Sequence, residues 1–257
     1  MSLSQQETTF LTHFSASGKK LINFDEAEEY FRSRIAAVNT LGRLARKGWL
    51  QRLERGLYLI IPLEAGPERT WSENSFLIAS QLSSPGAIAY WSALRYWNWT
   101  EQIPQVVFIQ TTHRKRAVVI QSTPYYFISV SPKHFFGITT QTVDGMLISI
   151  TEPEKTLIDA SARPDLCGGI VQLAQVLQNN QQSIDWEKLT KYLIHWGGGS
   201  VAKRLGYLGE KLVLKIPENL LTDWKNLISK GISPLEPGSA SKGEIVTRWN
   251  IQNNINF

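Results

Sequence analysis

Cysteine is almost absent from this chain. Cys167 stands alone among 257 residues, which excludes an internal disulfide framework and a cysteine-built zinc site. The four histidines, His13, His113, His134 and His195, are scattered without metal-ligand spacing, so neither a metal nor another cofactor is expected. No stretch approaches the roughly 18 apolar residues that a membrane span needs. The opening Met-Ser-Leu-Ser-Gln-Gln-Glu lacks the basic and apolar regions of a secretory leader. These absences predict a soluble, cytoplasmic protein with no membrane partner. Repeats and low-complexity tracts are missing as well. Charge of one sign is in modest excess: +5 overall favours polyanionic partners, but alone it does not separate a regulator from a basic enzyme.

With 42% hydrophobic residues, the chain can bury a core large enough for one big domain or two ordinary ones. The front reads as a compact series. Residues 4–14 predict a helix with Phe10, Leu11 and Phe14 on one side, stopped at Ser17-Gly18. Asn23 reads as an N-cap, with Glu26 three residues on, opening a second helix over 25–31. A third helix over 34–47 is expected to bury Ile35, Val38, Leu41 and Leu44 or Ala45. That phase turns Ala36, Asn39, Thr40, Arg43, Arg46 and Lys47 outward. Strands follow at 49–53 and 57–61 around Glu54-Arg55-Gly56. This order is that of a winged helix-turn-helix within residues 1–66. Glu64-Ala65-Gly66-Pro67-Glu68 is the best linker, ahead of a larger mixed α+β domain over 67–257.

In that larger part, helices are expected at 70–82 and 87–97, then strands at 106–110, 117–120, 125–130 and 146–150. Helices return at 153–162, 169–178, 186–195, 200–215 and 220–230. The tail after Ile232 is rich in Pro, Gly and Ser, and composition alone reads it as a flexible end.

Charge is concentrated at the front. From Arg32 to Arg55 there are seven cations, Arg32, Arg34, Arg43, Arg46, Lys47, Arg52 and Arg55, against Glu54, a local +6. Asn pairs bidentately with adenine and Arg with guanine. Arg34, Asn39 and Arg43 are therefore the expected base readers, with Thr40 among them. Arg46, Lys47, Arg52 and Arg55 suit phosphates of double-stranded DNA. The bland alternative is a solvated basic helix packed on a hairpin.

Signals in the larger part are weaker. The aromatic cluster from Tyr90 to Trp99 is either a stacking platform for single strands or, more simply, core. His113-Arg114-Lys115-Arg116 follows a strand and suits phosphate or an acidic partner, or else is a solvated turn. Gly197-Gly198-Gly199-Ser200 precedes Lys203 and Arg204 but lacks the Walker spacing, so a glycine-rich helix start is the default. Lys203, Arg204 and Lys211 on the late helix are the remaining candidates for partner contact. Arg204 is placed first because a guanidinium pairs bidentately with carboxylate or phosphate; a surface ion pair with Glu210 is the alternative. A nuclease would have to use Glu152, Glu154 or Asp159, where helix capping is the simpler reading. Cys167, with no histidine nearby in sequence, reads as a small buried residue.

The run from Leu41 to Ile61 resembles the end of the winged helix-turn-helix in AbiEi-type antitoxins, the regulators of abortive-infection toxin-antitoxin pairs. Ala89–Asn98, Ile150–Asp159 and Ser200–Glu210 are similar to later motifs of that family, in the same order. Pro234-Leu-Glu-Pro with Arg248-Trp-Asn250 is similar to its extended closing segment, which argues against a disordered tail. Gly209 departs from the pattern, in which a larger residue precedes the glutamate. The resemblance implies a bifunctional protein that is not an enzyme. Its front represses its own operon, and its back counteracts a nucleotidyltransferase-like toxin. A stand-alone winged-helix transcription factor is the alternative, and a DNA-binding nuclease a third reading.

Overall fold

The computed structural model describes residues 2–102, 105–240 and 242–255. They form an α+β protein of two compact units: Met1–Ser84 with 119–123 and 142–148, and the remainder. Among the described residues, no helix is long and apolar enough to cross a membrane.

The first unit opens with α1 (Gln5–Ala16), β1 (Leu21–Asn23), α2 (Phe24–Phe31) and α3 (Arg34–Arg46). The hairpin β2 (Leu50–Glu54) and β3 (Leu57–Ile60) follows, and the three strands pair antiparallel in the order β1-β3-β2. Local chemistry sets these boundaries. Ser4 and Glu7 form a reciprocal cap on α1, as Asn23 and Glu26 do on α2. Arg32, at φ 49°, makes the tight turn into α3, whose N-cap Ser33 accepts from the Ala36 amide. Gly56, at φ 82°, turns the hairpin. Phe10, Phe14, Ile22, Leu41, Leu44 and Leu50 fill the core between helices and sheet.

The rotation of α3 differs from the sequence expectation. Ala37, Thr40, Leu41 and Leu44 are buried, whereas Ile35 and Val38 are 74% and 52% exposed. Leu41 and Leu44 fit either stripe, so the choice falls to the other residues. Small Ala37 lets α3 pack against the Phe10 cluster. On the flank, Arg43 and Lys47 both bond to buried Glu7 of α1, and this fixes the rotation.

The expected linker is fastened to this unit rather than loose. Leu63–Ala65 is a single helical turn. Arg69 then donates to the carbonyl of Lys47 at the end of α3 and lies 4.0 Å over the Trp49 ring. Glu73 pairs with Lys20, and α4 (Ser75–Gln81) starts five residues later than periodicity predicts.

The second unit holds most of a mixed six-stranded sheet, of which residues 119–120, 123, 142–143 and 146–148 fall in the first unit. The sheet's strands are β4 (Gly86–Ile88), β5 (Val107–Thr111), β6 (Val118–Ile120), β7 (Thr123–Ser129), β8 (Ile138–Val143) and β9 (Met146–Thr151), in the order β6-β7-β5-β4-β9-β8. Residues 87 and 88, expected to open a helix, instead belong to β4, the strand between β5 and β9, and α5 (Tyr90–Tyr96) begins only after it. The later helices are α6 (Pro153–Ala162), α7 (Gly169–Asn180), α8 (Trp186–Trp196), α9 (Gly199–Lys211) and α10 (Glu218–Leu227), with α6 packed against α7, α8 and α9, and α10 against α8 and α9. Every residue of α6 from Glu154 to Ser161 is buried.

The tail is ordered, against its composition and in line with the motif resemblance. β10 (Ser233–Pro234), β11 (Glu244–Val246) and β12 (Ile251–Asn253) form a small sheet. Leu235, Trp249 and Ile251 are fully buried in the unit's core. The Trp249 ring lies against Gly206 of α9 and leaves no room there for a Cβ.

Candidate nucleic-acid interface

The outward face of α3 is largely exposed. Ile35, Val38, Asn39 and Arg46 lie along it, with half-exposed Gly42 between them. These positions follow the helical period and stand opposite Ala37, Thr40, Leu41 and Leu44. Arg34, at the start of the helix, has a side chain 70% exposed and pairs with Glu28 at 3.2 Å. Arg52 and Arg55 are exposed on the hairpin, and Arg52 Nε donates to the Glu54 carbonyl.

Three residues assigned to this face are placed otherwise. Thr40 is buried and accepts a 3.0 Å bond from Arg43. Arg43 Nε donates to Glu7 Oε1 at 3.2 Å, and Lys47 Nζ to Glu7 Oε2 at 2.6 Å. Hydrogen bonding from Lys47 and from the Ser4 amide holds the Glu7 carboxyl down to about 2, against the opposing effect of burial. Arg43 and Lys47 are thus partners of a buried carboxylate on the flank of α3, with side chains 40% and 21% exposed. The spacing Ser4-x-x-Glu7 was the available sequence signal for this carboxylate, as a cap. Ile35, Val38 and Gly42 were missed because their residue types suit a core stripe.

In the second unit, the structure corrects the reading of α9. Lys203 is buried and donates to the Gly231 carbonyl, to Ser229 Oγ at 3.1 Å and to Ser233 Oγ at 3.4 Å. Arg204, 5% exposed, donates to the carbonyls of Ser161 at 2.9 Å, Leu235 at 3.0 Å and Pro234 at 3.1 Å. Neither is available to a partner. Glu210 does not pair with Arg204 but with Arg248 and Trp249. The preceding glycines form no phosphate cradle, since the Ser229 amide occupies the space a Cβ on Gly199 would take. His113, Arg114, Arg116 and Lys211 are exposed, and Lys115 lies 4.8 Å over the Phe127 ring.

The carboxylates are engaged within the fold. Tyr192 donates to Glu152, and Lys188 bridges Glu152 and Glu154 at 3.3 and 3.1 Å. Lys155 and Asp159, one turn apart on α6 and both fully buried, pair at 2.5 Å. Gln110 of β5 donates to Asp159 and to the Tyr90 hydroxyl. Burial pushes the Lys155 ammonium down and the Asp159 carboxyl up, each opposed by the other's charge. Among the described residues, no three His, Cys, Asp or Glu side chains are grouped to hold a metal ion. Cys167 is buried, and desolvation raises its thiol well above the usual range. Tyr90, Ala93 and Leu94 of the aromatic cluster are core, and Trp97 donates to the Thr151 carbonyl.

No family model matches the chain, and no curated protein matches it. Among solved structures, the crystal structure of the RV2827C protein from Mycobacterium tuberculosis is similar, with a TM-score of 0.65 at 14% sequence identity. The likeness covers 97% of this chain and 92% of that one. It is a likeness of fold, and it embraces both units and the closing segment.

Proposed function

We propose that this chain is a sequence-specific DNA-binding transcriptional regulator whose first unit acts as a winged helix-turn-helix. In this reading α2 and α3 are the helix-turn-helix, α3 enters the major groove, and the β2–β3 hairpin is the wing. The observation that carries it is the outward face of α3, which presents an amide, an arginine and a side-chain-free glycine opposite a fully packed stripe. Asn39 is the adenine reader, and Arg46, Arg52 and Arg55 hold phosphates. Arg34 contributes from the start of the helix. The resemblance to AbiEi-type antitoxins extends the proposal to repression of the chain's own operon and neutralisation of a nucleotidyltransferase-like toxin. The exposed His113, Arg114 and Arg116 of one turn are then the basic residues offered to that partner.

The test is equilibrium binding of the full chain to duplex DNA over a range of salt. The Arg52→Ala/Arg55→Ala variant is expected to bind every sequence more weakly, with the salt slope reduced by about one for each phosphate no longer neutralised. Unchanged affinity and slope in that variant would remove the wing assignment. Asn39→Ala is expected to cost about 1–3 kcal/mol on the preferred site and relax base choice at one position. Equal weakening on all sequences would make Asn39 a backbone-contacting residue.

A further inference from the structure

Two features of α3 have no explanation in the fold. The first is that Ile35 and Val38, 74% and 52% exposed, stand in solvent on a helix that has a packed stripe on its other side. The second is Gly42. It lies in the middle of the helix, where glycine is about 1 kcal/mol worse than alanine. Yet a Cβ built on it meets nothing within 4 Å, so nothing in this unit needs the space.

Both features fall on one face with Asn39, and that face is bounded by exposed arginines, Arg34 at one end and Arg46 at the other. Arg34 is paired with Glu28, but Arg46 on this face and Arg52 and Arg55 on the hairpin leave an excess of exposed positive charge, which disfavours a second copy of the chain and favours a polyanion. A polyanion that also offers apolar groups is the major groove of A·T-rich DNA. There the thymine C5-methyl is the apolar group, and adenine presents the N6/N7 pair that an amide reads. A residue without a side chain is what close approach of a helix backbone to base edges requires.

We propose that Ile35 and Val38 read thymine methyl groups while Asn39 reads adenine and Gly42 marks the closest approach of α3 to the bases. This rests on the DNA-binding reading above and adds to it a base preference: half-sites with an A·T core.

The full chain is used to select duplexes from a random pool, and the selected sites are resynthesised with deoxyuridine for thymine, which deletes only the C5-methyl. Each contacted methyl is expected to be worth about fourfold in affinity, the factor equivalent to about 0.8 kcal/mol per buried methylene-sized group. Ile35→Ala and Val38→Ala should each lose that sensitivity at a different position while keeping the parent melting temperature. Gly42→Gln replaces glycine with a better helix former, so it should melt no lower than the parent and bind the selected site at least tenfold more weakly.

Selected sites without thymine in the core, indifference to deoxyuridine, or parental binding by Gly42→Gln would each overturn the inference while leaving DNA binding intact. A selection that enriches nothing, with no salt-dependent binding to any duplex, removes the DNA-binding reading and this inference together.

Discussion

Helices α3 and α9 are each 13 residues long and each carries cations that sequence reasoning turns to the outside, yet the structure uses those cations in opposite ways. On α9 Lys203 and Arg204 are buried, and every residue from Val201 to Gly209 is packed. On α3 Arg34 and Arg46 remain exposed. The difference lies in the neighbours. Facing α9 are irregular stretches around Ser229–Leu235 whose carbonyls need donors, and the two cations supply them. Beside α3 lies a hairpin whose carbonyls are engaged in its own ladder, so Arg46 is not drawn inward and Arg34 pairs only at the surface, with Glu28. The sharpest way to break this contrast is Arg204→Ala, which strips donors from three buried carbonyls. An expected destabilisation of about 3–5 kcal/mol, read by urea unfolding, makes it the largest effect here. Arg204→Lys should recover only part of that, because an ammonium lacks the fork that reaches three acceptors. Parental stability in Arg204→Ala would return Arg204 to the surface.

Glu7 tests the same contrast from the α3 side, because it is where that helix does consume cations. Glu7→Ala should remove about 1.5–3 kcal/mol through its charge-assisted bonds to Arg43 and Lys47, and it should release the rotation of α3. Hydrogen exchange of peptides from α1 and α3 would rise, while that of α9 would not. The pH dependence has a definite sign. The folded-state carboxyl is held at about 2, below its ordinary 4.5, so its stabilisation is fully present above about 4.5 and is lost as pH falls towards 2. Acid loosening of α1 and α3 over that window in the parent, absent in Glu7→Gln, is the expected result. The same acid profile in both would assign the loosening to another group.

How much of this was legible in the sequence follows from where the deciding interactions lie. Caps and turns were readable at Asn23, Gly48 and Gly56, since each is a local device. The order of three helices and a hairpin followed from periodicity and those stops. The rotation of α3 was not readable, because Leu41 and Leu44 serve either stripe and the arbiter, Glu7, is 36 residues from Arg43. For the same reason Lys203 and Arg204 read as surface: their acceptors lie some thirty residues downstream and, at Ser161, 43 residues upstream. Strands β1, β4 and β8 were missed because the three residues of β1 and of β4 carry no alternation pattern, and the polar Thr and Gln of β8 hide it. The tail misled by composition, because its few large apolar residues, Leu235, Trp249 and Ile251, are buried in the core.

A smaller effect sharpens the view of α9 as a structural helix. The turn that follows its C-cap Leu212 holds Val213, a β-branched residue at φ 52° and 84% exposed, whereas α8 is capped by Gly197 at φ 70°. An L-residue in the left-handed region is penalised by about 1–2 kcal/mol, partly offset by the extra chain entropy that glycine loses on folding. Val213→Gly is therefore expected to stabilise the protein by about 0.5–1 kcal/mol, measured as a rise in melting temperature. A fall would mean that the valine side chain is held by packing worth more than the strain.

The smallest expected effect on stability belongs to Arg46, and its smallness is the point. Its side chain is exposed, and its bond from Nε to the Gly42 carbonyl, at 3.3 Å, stays within its own helix. Replacing an exposed helical arginine by glutamine, a comparable helix former, leaves folding within about 0.5 kcal/mol. If α3 spends its outer face on a ligand, Arg46→Gln should nevertheless weaken duplex binding on selected and random sequences alike and lower the salt slope by about one. A cation used as Arg204 is used would show the reverse: a large drop in unfolding free energy, with binding altered only as far as the fold is disrupted. Measuring both quantities on both variants places each arginine on one side of the contrast. An Arg46→Gln protein that unfolds early and binds normally would show that α3 and α9 are not different after all.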